Sequence, residues 1–161
     1  MTASTPEARL AAAGFILPEV SRPQGSYAPY CAVQVDGSRW VSIAGQVCRR
    51  QGIAMAGQCQ SDDDLEPARR AAEVSMLNAL AALRGACDGQ LSRVVQLVRL
   101  RGFIRAAPEF TRHPAVLDAA SAVLRTAFPD QPLPARSALG VASLPDLAWT
   151  EIEIDAVVAN A

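Results

Sequence analysis

The residues of this chain that could do chemistry form a small polar set near predicted strand ends, and Arg136 stands out among them. It lies in the segment Pro-Ala-Arg-Ser at 134–137 and opens a stretch, residues 137–144, with the pattern of a strand. Its neighbours are apolar, so this guanidinium is either a surface residue or a planar fork aimed at a carboxylate, a phosphate or a partner. The rest of the sequence favours a carboxylate. The full candidate set is Tyr27, Gly45, Asp118, Arg136, Glu151 and Glu153.

The sequence lacks the short motifs of the common nucleophilic, phosphate-binding, dinucleotide-binding and zinc-protease sites. G-x-S-x-G, G-x-x-x-x-G-K-[ST], G-x-G-x-x-G and H-E-x-x-H are all missing. The four cysteines contain no C-x-x-C pair, and the sole histidine, His113, has no cysteine close by. We therefore expect neither a metal site nor a cofactor.

Length and composition favour one compact domain that binds neither nucleic acid nor membranes. The chain has 161 residues, of which 50% are hydrophobic, and a formal net charge of −1. Nucleic-acid-binding domains usually carry a clear basic excess, and no apolar run reaches the roughly 20 residues of a membrane span. The first seven residues lack the pattern of a secretory signal, so we expect a cytoplasmic protein with free, mostly buried thiols.

The first third of the sequence predicts a short helix, a loop and a hairpin. Residues 7–14 favour a helix that ends at Gly14, and residues 18–26 are rich in Pro, Gly and Ser. Strands are predicted at 30–35 and 40–44 around the turn signal Asp36-Gly37. Gly45 then interrupts the second strand, which indicates a bulge or a close approach to the backbone. Residues 47–60 add at most one further short strand.

The remainder predicts two helices and three strands. Acidic residues and Pro67 begin a helix from 62 to about 86, and residues 94–104 alternate as a strand. A second helix follows residues 111–114 and ends near 128, and strands follow at 137–144 and 150–158. The order βββαβαββ indicates an α+β fold with a mixed sheet and both helices on one face. Oligomerisation would cover the other face.

Several segments together resemble the Rid family, also called YjgF/YER057c/UK114 or endoribonuclease L-PSP. They are Gly-Ser-Tyr at 25–27, Ala-Gly-Gln at 44–46, Pro-Ala-Arg-Ser at 134–137 with Leu-Pro at 144–145, and Glu-Ile-Glu at 151–153. The segments at 101–104, 107–110 and 114–117 and the leader at 9–18 resemble a longer-chain subgroup. The resemblance covers nearly the whole chain as a single domain, with residues 1–24 as an N-terminal helix and loop extension.

The resemblance implies a chorismate-mutase-like fold and a homotrimer with active sites in the clefts between subunits. It also implies hydrolysis of reactive enamine or imine intermediates, such as 2-aminoacrylate and 2-iminobutyrate, to a 2-keto acid and ammonia. Arg136 matches the family's carboxylate-binding arginine. Glu151 matches the carboxylate that positions water in an ungapped alignment, and Glu153 matches it if the preceding loop is longer. Tyr27 matches the tyrosine that closes the pocket, and Gly45 the glycine that lets substrate approach the strand.

Two positions depart from the family pattern. Ala138 stands where deaminase members often have a cysteine, and Asp118 stands where many have an asparagine. The family mechanism relies partly on backbone groups at the cysteine position, so alanine is compatible with activity. An aspartate near the pocket adds negative charge, which disfavours a carboxylate ligand.

Two other functions stay open. The first is a non-catalytic trimer that holds a small carboxylic acid in the same cleft, which Ala138 and Asp118 favour. The second is RNA cleavage, which the net charge of −1 and the single histidine disfavour. Each candidate residue also has a plain structural interpretation: a salt bridge for Arg136, an exposed strand face for Glu151 and Glu153, and interface packing for Tyr27.

Overall fold

The computed structural model describes residues 5–160. The first four residues of the predicted N-terminal extension lie outside the described residues. The helices are α1 (Pro6–Ala12), α2 (Leu65–Ala86) and α3 (His113–Ala127). The strands are β1 (Tyr30–Val35), β2 (Ser38–Val47), β3 (Arg49–Arg50), β4 (Ile53–Ala54), β5 (Val94–Arg105), β6 (Ala135–Val141) and β7 (Thr150–Ala159).

Five of the strands form one mixed sheet, which confirms the predicted α+β class. Its strand order is β1-β2-β7-β5-β6, in which β5 and β6 are parallel and the other neighbours are antiparallel. The third predicted strand does not join it. Residues 49–54 form a separate two-stranded hairpin, because the backbone of Cys48 and Met55 pairs locally and the buried amide of Asn78 anchors the segment to α2.

Helix α2 begins at Leu65, after a 3-10 turn over residues 62–64 where the sequence predicted the start of the helix. Ser61 and Asp64 form a capping box around a short 3-10 turn, in which each side chain accepts from the other's backbone. The buried face of α2 includes Met76, Leu80 and Leu83. These side chains pack with Val116, Leu117 and Leu124 of α3 and with the inner residues of the sheet in one core. Leu10 of α1 is also buried in this core.

The other face of the sheet carries charged and exposed apolar side chains. Val33 is 56% exposed, and it pairs across the strands with Trp40, which is 38% exposed. On the central strands of the same face, Arg101 contacts Glu153 at 3.5 Å and Asp155 at 3.0 Å. No described helix covers this face. It is therefore the surface on which oligomerisation was expected from the sequence.

Three of the four cysteines are packed inside, as expected from the sequence. Cys48, Cys59 and Cys87 are buried, and Cys31 lies exposed on edge strand β1. Burial raises the pKa of the Cys59 thiol to about 12 and that of Cys87 to about 11. Neither thiol ionises near neutral pH, so neither is a nucleophile. No described helix is both long and apolar enough to span a membrane.

The close approach of α3 to the sheet depends on Gly102 of β5. A Cβ atom at this position would overlap the side chain of Leu117, whose Cγ would lie 3.0 Å away. Leu117 is fully buried, so it has little room to move. Glycine is thus required here for packing.

Gly102→Ala is expected to destabilise the protein by about 1–3 kcal/mol, because the added methyl overpacks the contact with Leu117. Urea unfolding followed by circular dichroism measures the change. Gly85→Ala in α2 is the matched control, since only Val20 comes near its Cβ, at 3.8 Å. Alanine there is expected to be neutral or stabilising by up to about 1 kcal/mol. Equal effects of the two substitutions would contradict the packing argument.

Candidate functional site

A cleft of about 310 Å³ lies where the loop before β1, the end of β2 and the start of β7 meet. Three of the residues predicted from the sequence, Tyr27, Gly45 and Glu151, line it together. The other lining residues are Ser21, Arg22, Pro23, Gln24, Pro29, Gln46, Val47, Arg49 and Pro145. The fold thus brings half of the predicted polar set to one place.

Gly45 lies in an irregularity of β2 that was anticipated from the sequence. The register of β2 on β7 shifts between Ile43 and Gln46. A Cβ atom on Gly45 would overlap the carboxylate of Glu151, whose Cδ would lie 2.9 Å away. The group that lies against this backbone is therefore the Glu151 side chain of the same chain. Only glycine leaves room for a carboxylate in this position.

The environment of Glu151 favours its protonated form. Burial is the main cause that raises the pKa of this carboxyl above its ordinary value, and the nearby negative charge of Glu153 adds to it. The positive charge of Arg49 acts in the opposite direction. A raised pKa makes a half-buried carboxylate a stronger proton acceptor than a free one, which suits it to exchange a proton with a bound molecule.

Glu153 lies on the same face of β7 but does not line the cleft. Its carboxylate contacts Arg101 at 3.5 Å, and Asp155 shares the same guanidinium. This ion pair belongs to the open face of the sheet. Of the two glutamates left open by the sequence, Glu151 is the one in the cleft.

Tyr27 lies at the mouth of the cleft. Its hydroxyl oxygen accepts a hydrogen bond from the backbone N–H of Gln24 at 3.3 Å, and the residue is 51% exposed. The contact closes a small loop between residues 24 and 27. An exposed aromatic ring held at a cleft rim is in position to cover a bound molecule.

Arg49 was missed by the sequence analysis. Its side chain is 11% exposed, and Nη2 contacts the Asp146 carboxylate at 2.5 Å and Gln24 Oε1 at 3.1 Å. These partners come from segments far away in sequence, so no local sequence pattern predicts the contacts. The only available signal was an arginine shortly after Gly45-Gln46.

Arg136 lies elsewhere, in a shallow pocket of about 380 Å³ lined by α3 and the segment before β6. Strand β6 begins at Ala135, earlier than predicted, so Arg136 lies inside the strand and pairs with Leu100 of β5. Its Nη1 donates to Asp118 Oδ1 at 2.8 Å and to Ser121 Oγ at 3.0 Å. Asp118 thus already supplies one carboxylate to the guanidinium.

Ala138 follows on the same side of β6. It is partly buried and packs against the hydrophobic core. Its β5 partner is Gly102. Ala138 therefore contributes apolar contact, and only its backbone groups are polar.

The structure does not bring Arg136 and Glu151 together within one chain. Arg136 contacts α3 and therefore lies on the helix side of the sheet. Glu151 alternates with the fully buried Ile152, so it lies on the opposite side. The two pockets share no lining residue. A site that uses both groups needs two copies of the chain.

The fold and the residues at these pockets define an α+β domain of the chorismate-mutase-like type, and comparisons with known proteins agree. Residues 7–145 match a family model described as "YjgF/chorismate_mutase-like, putative endoribonuclease". The chain belongs to this family, which confirms the resemblance to the Rid proteins seen in the sequence.

Relatives match the chain over nearly its full length. Protein TCP17 of Trypanosoma cruzi is 30% identical over 94% of this chain and 91% of its own. A protein of unknown function from Agrobacterium tumefaciens has a crystal structure that superposes with a TM-score of 0.82 at 32% identity, covering 98% of this chain and 94% of that one. A structure from Shewanella oneidensis described as a putative endoribonuclease gives 0.84 at 32% identity, covering 94% and 98%.

Glu151→Gln is expected to change the pH dependence of stability. The folded-state pKa of Glu151 lies above its ordinary value of 4.5, so the folded protein binds more protons than the unfolded one in that range. The free energy of unfolding of the wild type should therefore fall relative to the variant as pH rises above 4.5. Urea titrations from pH 4 to 7, chosen to span about that range, measure it. Glu109→Gln, at an exposed position, is the control, and parallel curves for wild type and Glu151→Gln would contradict the raised pKa.

Proposed function

We propose that the protein is a homo-oligomeric deaminase that hydrolyses 2-imino acids, and the enamines that tautomerise to them, to 2-keto acids and ammonia. The observation that carries this proposal is a half-buried carboxyl of raised pKa, Glu151, in a cleft large enough for a small acid. Membership of the YjgF family supports the proposal, because this hydrolysis is the activity that the resemblance to the family implies.

The chemistry requires little beyond this carboxyl and an anion-binding group. Water adds to the electrophilic C=N carbon and forms a C–O bond, while Glu151 accepts a proton from the water. The π electrons of the C=N bond move to nitrogen, which takes this proton from Glu151 and becomes an amine. Glu151 then transfers the hydroxyl proton of the tetrahedral intermediate to the amine, so that the C–N bond breaks, ammonia leaves and the C=O bond of the keto acid forms. Both protons of the water end on ammonia, Glu151 returns to its ionised form, and no redox step is needed.

Arg136 is proposed to hold the substrate carboxylate. A planar guanidinium binds a carboxylate through parallel hydrogen bonds and fixes its orientation. Because Arg136 and Glu151 lie on opposite sides of the sheet, the proposed site combines Arg136 of one copy with the Glu151 cleft of another. The exposed apolar side chains of Val33, Val35, Trp40 and Leu139 support association of copies through the open face. A trimer is the assembly we expect.

A second candidate function is binding of a small carboxylic acid without turnover. One observation favours it: Asp118 already engages Arg136 at 2.8 Å, so an external carboxylate must compete with an internal one. A binding protein would be stabilised by a keto acid without releasing ammonia from an imine.

RNA cleavage, which the family description and the Shewanella structure mention, has less support here. The chain carries a net charge of −1 and a single histidine. That histidine, His113, packs its ring against Phe110 at the start of α3. RNase activity that copurifies with wild type and with Arg136→Gln alike would indicate a contaminant.

The wild-type protein is expected to accelerate ammonia and keto-acid release from enzymatically generated 2-aminoacrylate or 2-iminobutyrate. Arg136→Gln should lower kcat/KM by roughly 10- to 100-fold, the worth of a charge-assisted hydrogen bond. Glu151→Gln should lower it by about 100-fold or more, because it removes the proton acceptor. Arg70→Gln, at an exposed position on α2, is the charge-matched control. Wild type indistinguishable from buffer at high protein concentration would overturn the deaminase proposal for these substrates.

Mixing two impaired variants tests whether the site is shared between copies. Arg136→Gln retains an intact Glu151 cleft, and Glu151→Gln retains an intact Arg136. After joint refolding in equal amounts, roughly a quarter of the sites should pair the two intact residues if subunits combine at random. Activity should rise to about that fraction of wild type.

The control mixture joins Arg136→Gln with the double variant Arg136→Gln/Glu151→Gln, and its activity should not rise above that of Arg136→Gln alone. Size-exclusion chromatography with light scattering verifies that both mixtures form the same assembly. Mixed assemblies without recovered activity would show that no site is shared between copies.

A further inference from the structure

Two arginines of the same chain line the cleft that contains Glu151, the exposed Arg22 and the partly buried Arg49. Of the two, Arg49 has its backbone held in place by the fold. The side-chain amide of Asn78, buried in α2, donates to the carbonyl of Val47 at 3.0 Å and to that of Arg49 at 3.1 Å. Both bonds anchor the end of β2 and the start of β3 to the helix. Arg49 is therefore presented to the cleft from a rigid support and not from a free loop.

The partners of Arg49 occupy one of its nitrogen atoms. Nη2 contacts both the Asp146 carboxylate and Gln24 Oε1. No hydrogen bond from Nη1 or Nε reaches any other residue in the range 5–160. A guanidinium has five N–H donors, so those on Nη1 are left for a molecule in the cleft. Placing a charged group in a cleft wall is unfavourable unless its donors find partners.

Asp146, which contacts Arg49, lies in a turn with an uncommon backbone conformation. Asp146 and Leu147 both adopt positive φ angles, 52° and 56°, which are uncommon for residues other than glycine. Pro145 of the same turn lines the cleft. Strain of this kind concentrates at ligand-binding sites, where it fixes the position of a contacting group. The contact with Asp146 occupies Nη2 of Arg49, and Arg49 itself lines the cleft.

We propose that Arg49 binds a second acidic group of the substrate, so that the cleft selects 2-imino and 2-keto dicarboxylic acids. This inference rests on the proposed function, in which Arg136 of another copy holds the carboxylate next to the reacting carbon. Arg49 and Glu151 belong to the same chain and line the same cleft. A side-chain carboxylate of the substrate is then the group that meets Arg49, while the C=N carbon lies near Glu151.

Calorimetric titration of the intact oligomer with two keto acids of equal chain length, 2-oxoglutarate and 2-oxopentanoate, tests the proposal. Wild type should bind 2-oxoglutarate about tenfold or more tightly, the worth of a charge-assisted hydrogen bond. In Arg49→Gln the ratio of the two affinities should fall to about one. Arg49→Lys keeps the charge without the planar fork and should restore part of the preference. Arg50→Gln, at the exposed neighbouring position, should keep the wild-type ratio.

Two results would overturn the inference: equal affinities of the wild type for the two acids, or Arg49→Gln lowering both affinities by the same factor. The second result would show that Arg49 holds the carboxylate common to both acids. Binding and turnover separate this inference from the proposed function. A wild type that prefers 2-oxoglutarate but releases no ammonia from any imine supports Arg49 and overturns the deaminase. A wild type that hydrolyses 2-iminobutyrate but shows no preference for 2-oxoglutarate supports the deaminase and overturns the role of Arg49.

Discussion

This structure depends on one constraint. Side chains alternate between the two faces of the sheet, and helices cover only one of those faces. Residues that follow each other along a strand lie on opposite faces, so a buried neighbour decides where each charged group points. Ile152 and Ile154 of β7 are fully buried under the helices, which places Glu151 and Glu153 on the open face. Parallel pairing with β5 places Arg136 on the helix side, against Asp118 and Ser121. One copy therefore presents two pockets on opposite sides of its sheet.

In the cleft, a local irregularity of the backbone makes room for a charged side chain. A regular β2 strand with a side chain at position 45 would push the Glu151 carboxylate out of its place against the backbone. Glycine at the register shift leaves room for a half-buried carboxyl, and burial is what raises its pKa. Asp146, which has a positive φ angle, likewise contacts Arg49 from an irregular turn. At both positions an unfavourable or irregular backbone positions a charged side chain.

Much of the fold and part of the site could be predicted from the sequence. Strand β1 was predicted with its observed bounds, because alternation and the Asp36-Gly37 turn are local signals. The hairpin at 49–54 was not, since its strands are two residues long and their support comes from Asn78, far away in sequence. For the same reason the position of Arg49 in the cleft could not be predicted from the sequence. Strand parity could not place Arg136 relative to Glu151, because their faces are set by which strands pair and in which direction.

The burial of Cys48, Cys59 and Cys87 leaves Cys31 as the one exposed thiol among the described residues. Cys31 pairs with Ser42 of β2, on the same face of the sheet as Trp40 and Asp155. A fluorescent or spin-labelled maleimide would therefore attach at one position, on the uncovered face. A label at Cys31 would therefore report on any molecule that binds to that surface.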